Sequence, residues 1–117
     1  MAAEQEAQEL FERIAERYLD EPAVSRGTGF GSSAGLRVGG KIFAMLDREG
    51  ELVLKLPEEQ VDELIAAGKG GRFNPRRDGR LMREWVTVPV SGRAEWERLI
   101  DEAFQFVSSG AARTRRT

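Results

Sequence analysis

The run Gly39-Gly40-Lys41-Ile42-Phe43-Ala44-Met45-Leu46-Asp47-Arg48-Glu49-Gly50-Glu51-Leu52-Val53-Leu54-Lys55-Leu56 decides the fold of this chain. Two mostly apolar stretches flank Asp47 to Gly50, a segment of turn formers, and that arrangement predicts a β-hairpin. A connecting loop of two or four residues sets odd positions of the first strand beside even positions of the second. On that register Phe43 and Met45 share an apolar face with Leu52, Leu54 and Leu56. Ile42, Ala44, Leu46 and Val53 make the opposite face apolar as well, so the first strand is expected at the centre of a sheet.

Outward from the hairpin, Gly27 to Gly40 is dense in glycine, with Ser32 and Ser33 between. Glycines let backbone N–H groups approach an anion, but a phosphate-binding loop follows a strand and opens a helix. This segment leads from a helix into strands, and Ile42 follows Lys41 where a nucleoside-triphosphate loop needs Ser or Thr. The reading is a bulged pair of short strands around Thr28 to Phe30 and Leu36 to Val38, with Phe30 in the core.

Before it, Ala7, Leu10, Phe11, Ile14 and Tyr18 repeat with helical spacing within Glu4 to Asp20, and Pro22 stops the helix. Seven acids from Glu4 to Glu21 stand against Arg13 and Arg17, so its outer face is acidic.

After the hairpin, Pro57 followed by Glu58 and Glu59 marks a short helix burying Val61, Leu64 and Ile65, with Gly68 as its left-handed cap. Lys69, Arg72, Arg76, Arg77, Arg80 and Arg83 then face a single acid, Asp78, across a segment with turn signals at Asn74-Pro75 and Asp78-Gly79. These cations are the candidate contacts for an anion or nucleic acid, since arginine offers a fork matched to phosphate and carboxylate. The other reading pairs them with acids of the protein's own helices, such as Glu12 and Glu16.

Glu84 to Val90 alternates as a strand that ends near Pro89. Ser91 is the expected N-cap of a last helix in which Trp96, Leu99, Ile100, Ala103 and Val107 form the buried stripe. Phe104 and Phe106 widen that stripe. With Trp85 they are the candidate aromatics for meeting a partner. Gly110 is expected to end the helix.

The chain has 117 residues, 40% apolar and 32% charged, with a net charge of −2. That suits one domain, residues 1–110, followed by a disordered basic tail, 111–117, carrying Arg113, Arg115 and Arg116. No apolar run reaches the roughly 20 residues of a membrane span, and the acidic start lacks the pattern of a signal peptide. The expectation is a cytoplasmic protein that does not enter membranes. Cysteine and histidine are both absent. The commonest metal ligands and the usual general base are therefore missing, and no cofactor or metal is expected. An enzyme would have to use carboxylates such as Asp47 or Glu84 with an arginine clamp, and no spacing pairs two acids on a defined element next to a glycine-rich mouth.

Several strings are those of a known family: Phe30-Gly31, Gly35-Leu36-Arg37-Val38-Gly39-Gly40-Lys41-Ile42-Phe43-Ala44-Met45-Leu46, Leu54-Lys55-Leu56-Pro57 and Glu84-Trp85-Val86, closed by a helix. From about Thr28 to Val107 the chain resembles the TfoX N-terminal-domain family, named for regulators of natural competence, and is similar to the MmcQ/YjbR group of small α+β proteins. The resemblance implies a regulatory role and supplies no catalytic or ligand residues to carry over. The expected architecture is α+β in two layers, an antiparallel sheet of four to five strands with N- and C-terminal helices and one short internal helix. The expected function is a stand-alone, non-enzymatic regulatory or protein-interaction module, monomeric or homodimeric, with a protein partner. The alternative is nucleic-acid binding through the basic loop and tail.

Overall fold

A computed structural model describes residues 2–26, 35–47, 50–72 and 84–109. Thr28 to Phe30, Arg76, Arg77, Arg80, Arg83, Gly110 and the 111–117 tail lie outside the described residues, and so do the expectations placed on them.

Ala2–Glu16 forms α1, in which Ala7, Phe11, Ile14 and Ala15 are buried, and Tyr18 follows just past its end. The strands are β1 (Val24–Arg26), β2 (Gly35–Val38), β3 (Lys41–Leu46), β4 (Leu52–Lys55), β5 (Gly71–Arg72) and β6 (Trp85–Val88). They make one antiparallel sheet in the order β1-β2-β3-β4-β6-β5. Five strands have three residues or more and β5 is a two-residue edge piece, so the expected sheet is present with β3 inside it. Between β4 and β5 lies α2 (Glu58–Ala66), and a 3₁₀ segment (Val90–Glu95) leads from β6 into α3 (Trp96–Ser108).

The register is not the expected one. The Asp47 N–H donates to the Glu51 carbonyl at 3.0 Å, and Leu46 faces Leu52, leaving five residues between the paired leucines. An odd loop pairs residues of equal parity: Ala44 faces Leu54 and Met45 faces Val53. The Asp47 side chain holds this closure by accepting the Glu51 N–H at 2.9 Å. Leu52, Leu54 and Leu56 therefore share a face with Ala44 and Leu46, and Met45 lies on the other side.

Phe43 still reaches the core, by a different route. β2 and β3 pair Leu36 with Ala44 but Arg37 with Ile42, so Phe43 is an extra residue in a β-bulge. The bulge lets Phe43 and its neighbour Ala44 both point inward, and both are fully buried. The Phe43 ring packs on Tyr18 and Phe104, with centroids 5.7 and 5.4 Å away.

One contiguous core results. Leu36, Val38, Leu52, Leu54, Val86 and Val88 meet Phe11 and Ile14 of α1, Val61 and Leu64 of α2, and the α3 stripe Trp96, Leu99, Ile100, Ala103 and Val107. α3 lies against β2, β3 and β4. Gly68, at φ +76°, caps α2 in the left-handed conformation while the Lys69 N–H bonds the Leu64 carbonyl at 2.9 Å. Ser91 does not cap α3. It falls inside the 3₁₀ segment, α3 starts at Trp96, and the indole N–H of Trp96 donates to the Pro89 carbonyl at 3.3 Å. Among the described residues no helix is long and apolar enough to cross a membrane.

Candidate functional site

Alternation fixes what the sheet turns away from its core. Arg37 lies between buried Leu36 and Val38, and Lys55 between buried Leu54 and Leu56, so both cations take the opposite phase. Lys55 pairs directly with Trp85, which also alternates with a buried neighbour, Val86. Past the bulge the phase of β3 inverts and Ile42 joins this outer set opposite Arg37. Val53, fully buried yet separate from the main core, lies there too, between Met45 and Thr87.

At the end of the sheet where β3 begins and β4 ends, these side chains line a groove of about 360 Å³. Arg37, Lys41 and Lys55 provide three cations, and Ile42, Trp85 and Val107 of α3 provide an apolar wall. Gly40 completes it. Gly39 and Gly40 link β2 to β3 at φ +60° and +82°, the positive values that both central residues of a type I′ turn require. That tight turn sets Lys41 at the rim.

Lys55 is the best-defined group in the groove. Its ammonium lies 5.3 Å from the Trp85 ring centroid and 3.9 Å from Glu84 Oε1. Burial, the largest influence, lowers its pKa below the usual lysine value. Glu84 opposes that shift and Lys41 adds to it. Directly beyond Glu84 the charge reverses: a second, more open cleft is lined by Glu58, Glu59, Asp62, Glu84, Pro57 and Phe106.

The sequence-predicted contacts are distributed differently. Lys69 Nζ lies 3.3 Å from Glu95 Oε2, and Arg98 pairs with the other oxygen of that carboxylate, Oε1. Arg98 first and Lys69 second hold the Glu95 carboxyl below its usual range. Arg72 belongs to β5, paired through its backbone with Val86. Glu12 accepts both guanidinium arms of Arg26, at 3.1 and 2.8 Å, so the internal partner of this acid is an arginine from β1. Trp85 is half-buried in the groove. Phe104 sits between Tyr18 and Phe43, centroids 5.3 and 5.4 Å away, and Phe106 edges the acidic cleft.

Arg37, Lys41 and Lys55 are not among the cations singled out from the sequence. Each stands alone in an apolar run, so charge density does not mark them. The signal was their common phase: Arg37 between two core residues, Lys55 between two core leucines. Among the described residues no cluster of acids is arranged to hold a metal ion.

These features define a small two-layer α+β domain whose sheet carries a cationic, aromatic-walled groove at one end. The sequence model of the YjbR family matches residues 19–106, and the chain belongs to that family. No curated protein and no solved structure matches it.

Proposed function

We propose that this chain is a non-enzymatic regulatory or interaction module, allied to the TfoX N-terminal domains its strings resemble and working in the cytoplasm, which engages a negatively charged partner. The observation that supports it is the groove, where Arg37, Lys41 and Lys55 surround an apolar wall. Three cations beside an indole attract and orient an anion. Among the described residues, the carboxyls with a displaced titration are Glu12, lowered by Arg26, and Glu95, lowered by Arg98 and then Lys69, the direction that suits ion pairing and opposes a general-acid role.

The test compares the purified chain with an Arg37→Gln/Lys41→Gln variant for retention of acidic proteins from a cell extract, each then identified and rebound in pure form. Binding that needs both cations is expected. Saturable turnover of a small substrate by the pure chain overturns the non-enzymatic reading.

Nucleic-acid binding is the second reading, favoured by the same cations together with the basic residues Lys69 to Arg83. Affinity for labelled DNA should then fall with salt, with a log–log slope of about −0.9 per phosphate contacted. Absence of binding at low salt removes it.

A further inference from the structure

The basic groove and the acidic cleft share a border. Lys55 of β4 lines the first and Pro57, two residues on, the second; Trp85 and Glu84 divide in the same way where β6 begins, and Val107 and Phe106 near the end of α3. Three stretches of chain thus supply both sides of one seam, and the Lys55–Glu84 contact of 3.9 Å crosses it. Charge changes sign at that line, from Arg37, Lys41 and Lys55 to Glu58, Glu59, Asp62 and Glu84.

Arg37, Lys55, Glu58, Asp62 and Glu84 already have partners within the chain. They set the sign of each side, and new pairs need other groups. Lys41 and Glu59 are those groups. Both are exposed, and among the described residues neither joins an ion pair. The Gly39-Gly40 turn holds Lys41 at the rim of the groove, and the first turn of α2 holds Glu59 in the cleft.

Two patches of opposite sign, side by side, complement a second copy of themselves. A two-fold axis along the seam turns the basic side of one copy onto the acidic side of the other, and by symmetry does so twice. Trp85 and Phe106, both half-buried, then meet the other copy near the centre of the contact, where aromatic residues contribute most. An unrelated acidic partner would use the groove alone, whereas a second copy uses groove and cleft together.

We infer that the seam is a homodimer interface in which Lys41 of each copy pairs with Glu59 of the other while Trp85 and Phe106 are covered. The inference rests on the reading of the groove as a seat for a negatively charged partner, and it names that partner as the acidic cleft of a second copy of this chain.

Sedimentation equilibrium on the full chain at low salt, from about 5 to 500 µM, reads the dimer directly, because an interface of modest size associates in the micromolar range or more weakly. The unaltered chain should dimerise, and Trp85 should become shielded from acrylamide as it does, while the fully buried Trp96 contributes no change. Lys41→Glu and Glu59→Lys each set like charges opposite one another at both symmetric contacts and should weaken the dimer about tenfold or more. Both positions are exposed, and thermal unfolding checks that each variant keeps its fold. The Lys41→Glu/Glu59→Lys double variant restores opposite charges and should regain the dimer. An equimolar mixture of the two single variants should associate as a mixed dimer more tightly than either alone. A chain that stays monomeric at the highest concentration, a dimer indifferent to both single variants, or a double variant that fails to recover overturns the interface. Retention of acidic proteins that depends on Arg37 and Lys41 in a monomeric chain removes the second copy and leaves the anionic-partner reading standing. A monomeric chain that retains none removes both.

Discussion

Phe43 meets two demands on one strand: β3 must run through the middle of the sheet, and an aromatic ring must reach the gap between Tyr18 and Phe104. The bulge satisfies both. With the ring fully buried among two others, Phe43→Ala should cost about 3–5 kcal/mol in chemical denaturation. A loss near zero would mean that the three-ring contact does not hold the helices to the sheet. Tyr18 adds a pH signature, because its hydroxyl donates to Asp101 Oδ1 at 3.2 Å. Burial first, then the Asp101 charge, favours the neutral phenol and raises its pKa above the ordinary value of about 10. The contribution is thus complete below about pH 10 and is lost as pH rises through the folded-state value. The alkaline fall in stability should be shallower in Tyr18→Phe, measured by unfolding at a series of pH values. Glu12 acts in the other direction: bonding to Arg26 lowers its pKa, so its contribution is present above the ordinary carboxyl range and is lost on acidification through the folded-state value. The pair is largely exposed, and Glu12→Gln should cost no more than about 1 kcal/mol at neutral pH.

Among the elements, the helices were the most legible. The α3 stripe Trp96, Leu99, Ile100, Ala103 and Val107 is buried as the spacing requires, and so are Phe11 and Ile14 of α1. A 3.6-residue period needs no partner to be read. Strand register does need one, and there the reading of Phe43 and Met45 against the leucines failed. The parity of the hairpin loop was set by the Asp47–Glu51 pairing, and a bulge cannot be seen in one strand alone. β1 was missed because Val24-Ser25-Arg26 is too short to show alternation, and Ser91 misled because a 3₁₀ turn intervenes before α3. The β2–β3 turn makes an element-level prediction. Gly40→Val forces a branched side chain to φ +82° and should cost about 1–2 kcal/mol in stability, although nothing lies within 4 Å of the added Cβ.

Across the whole molecule, the charge pattern places its ion pairs on the surface and three cations in the groove. Arg17–Glu97, Lys69–Glu95 and the Arg98 pairs join side chains that are mostly well exposed, and they cluster around the start of α3 without entering the core. Raising salt to 1 M, where the Debye length is about 3 Å, should therefore change the unfolding free energy by less than about 1 kcal/mol. Binding of an anionic partner through Arg37 and Lys41, if that is what the groove does, should decline strongly over the same range. Fold class was legible at this scale, and the groove was not. Composition directs attention to the dense basic run after Lys69, whereas Arg37, Lys41 and Lys55 are separated in sequence and converge only when β2, β3 and β4 lie side by side.

The extra residue at Phe43 gives β3 something like a reading frame. Upstream of it Ile42 looks outward with Arg37, and downstream Ala44 looks inward with Leu36. Deleting one residue there would not simply shorten a strand. It would exchange inside for outside along the whole of one half, sending Ile42 toward the helices or Ala44 toward water, and it would dismantle the groove and the hydrophobic interior in the same event.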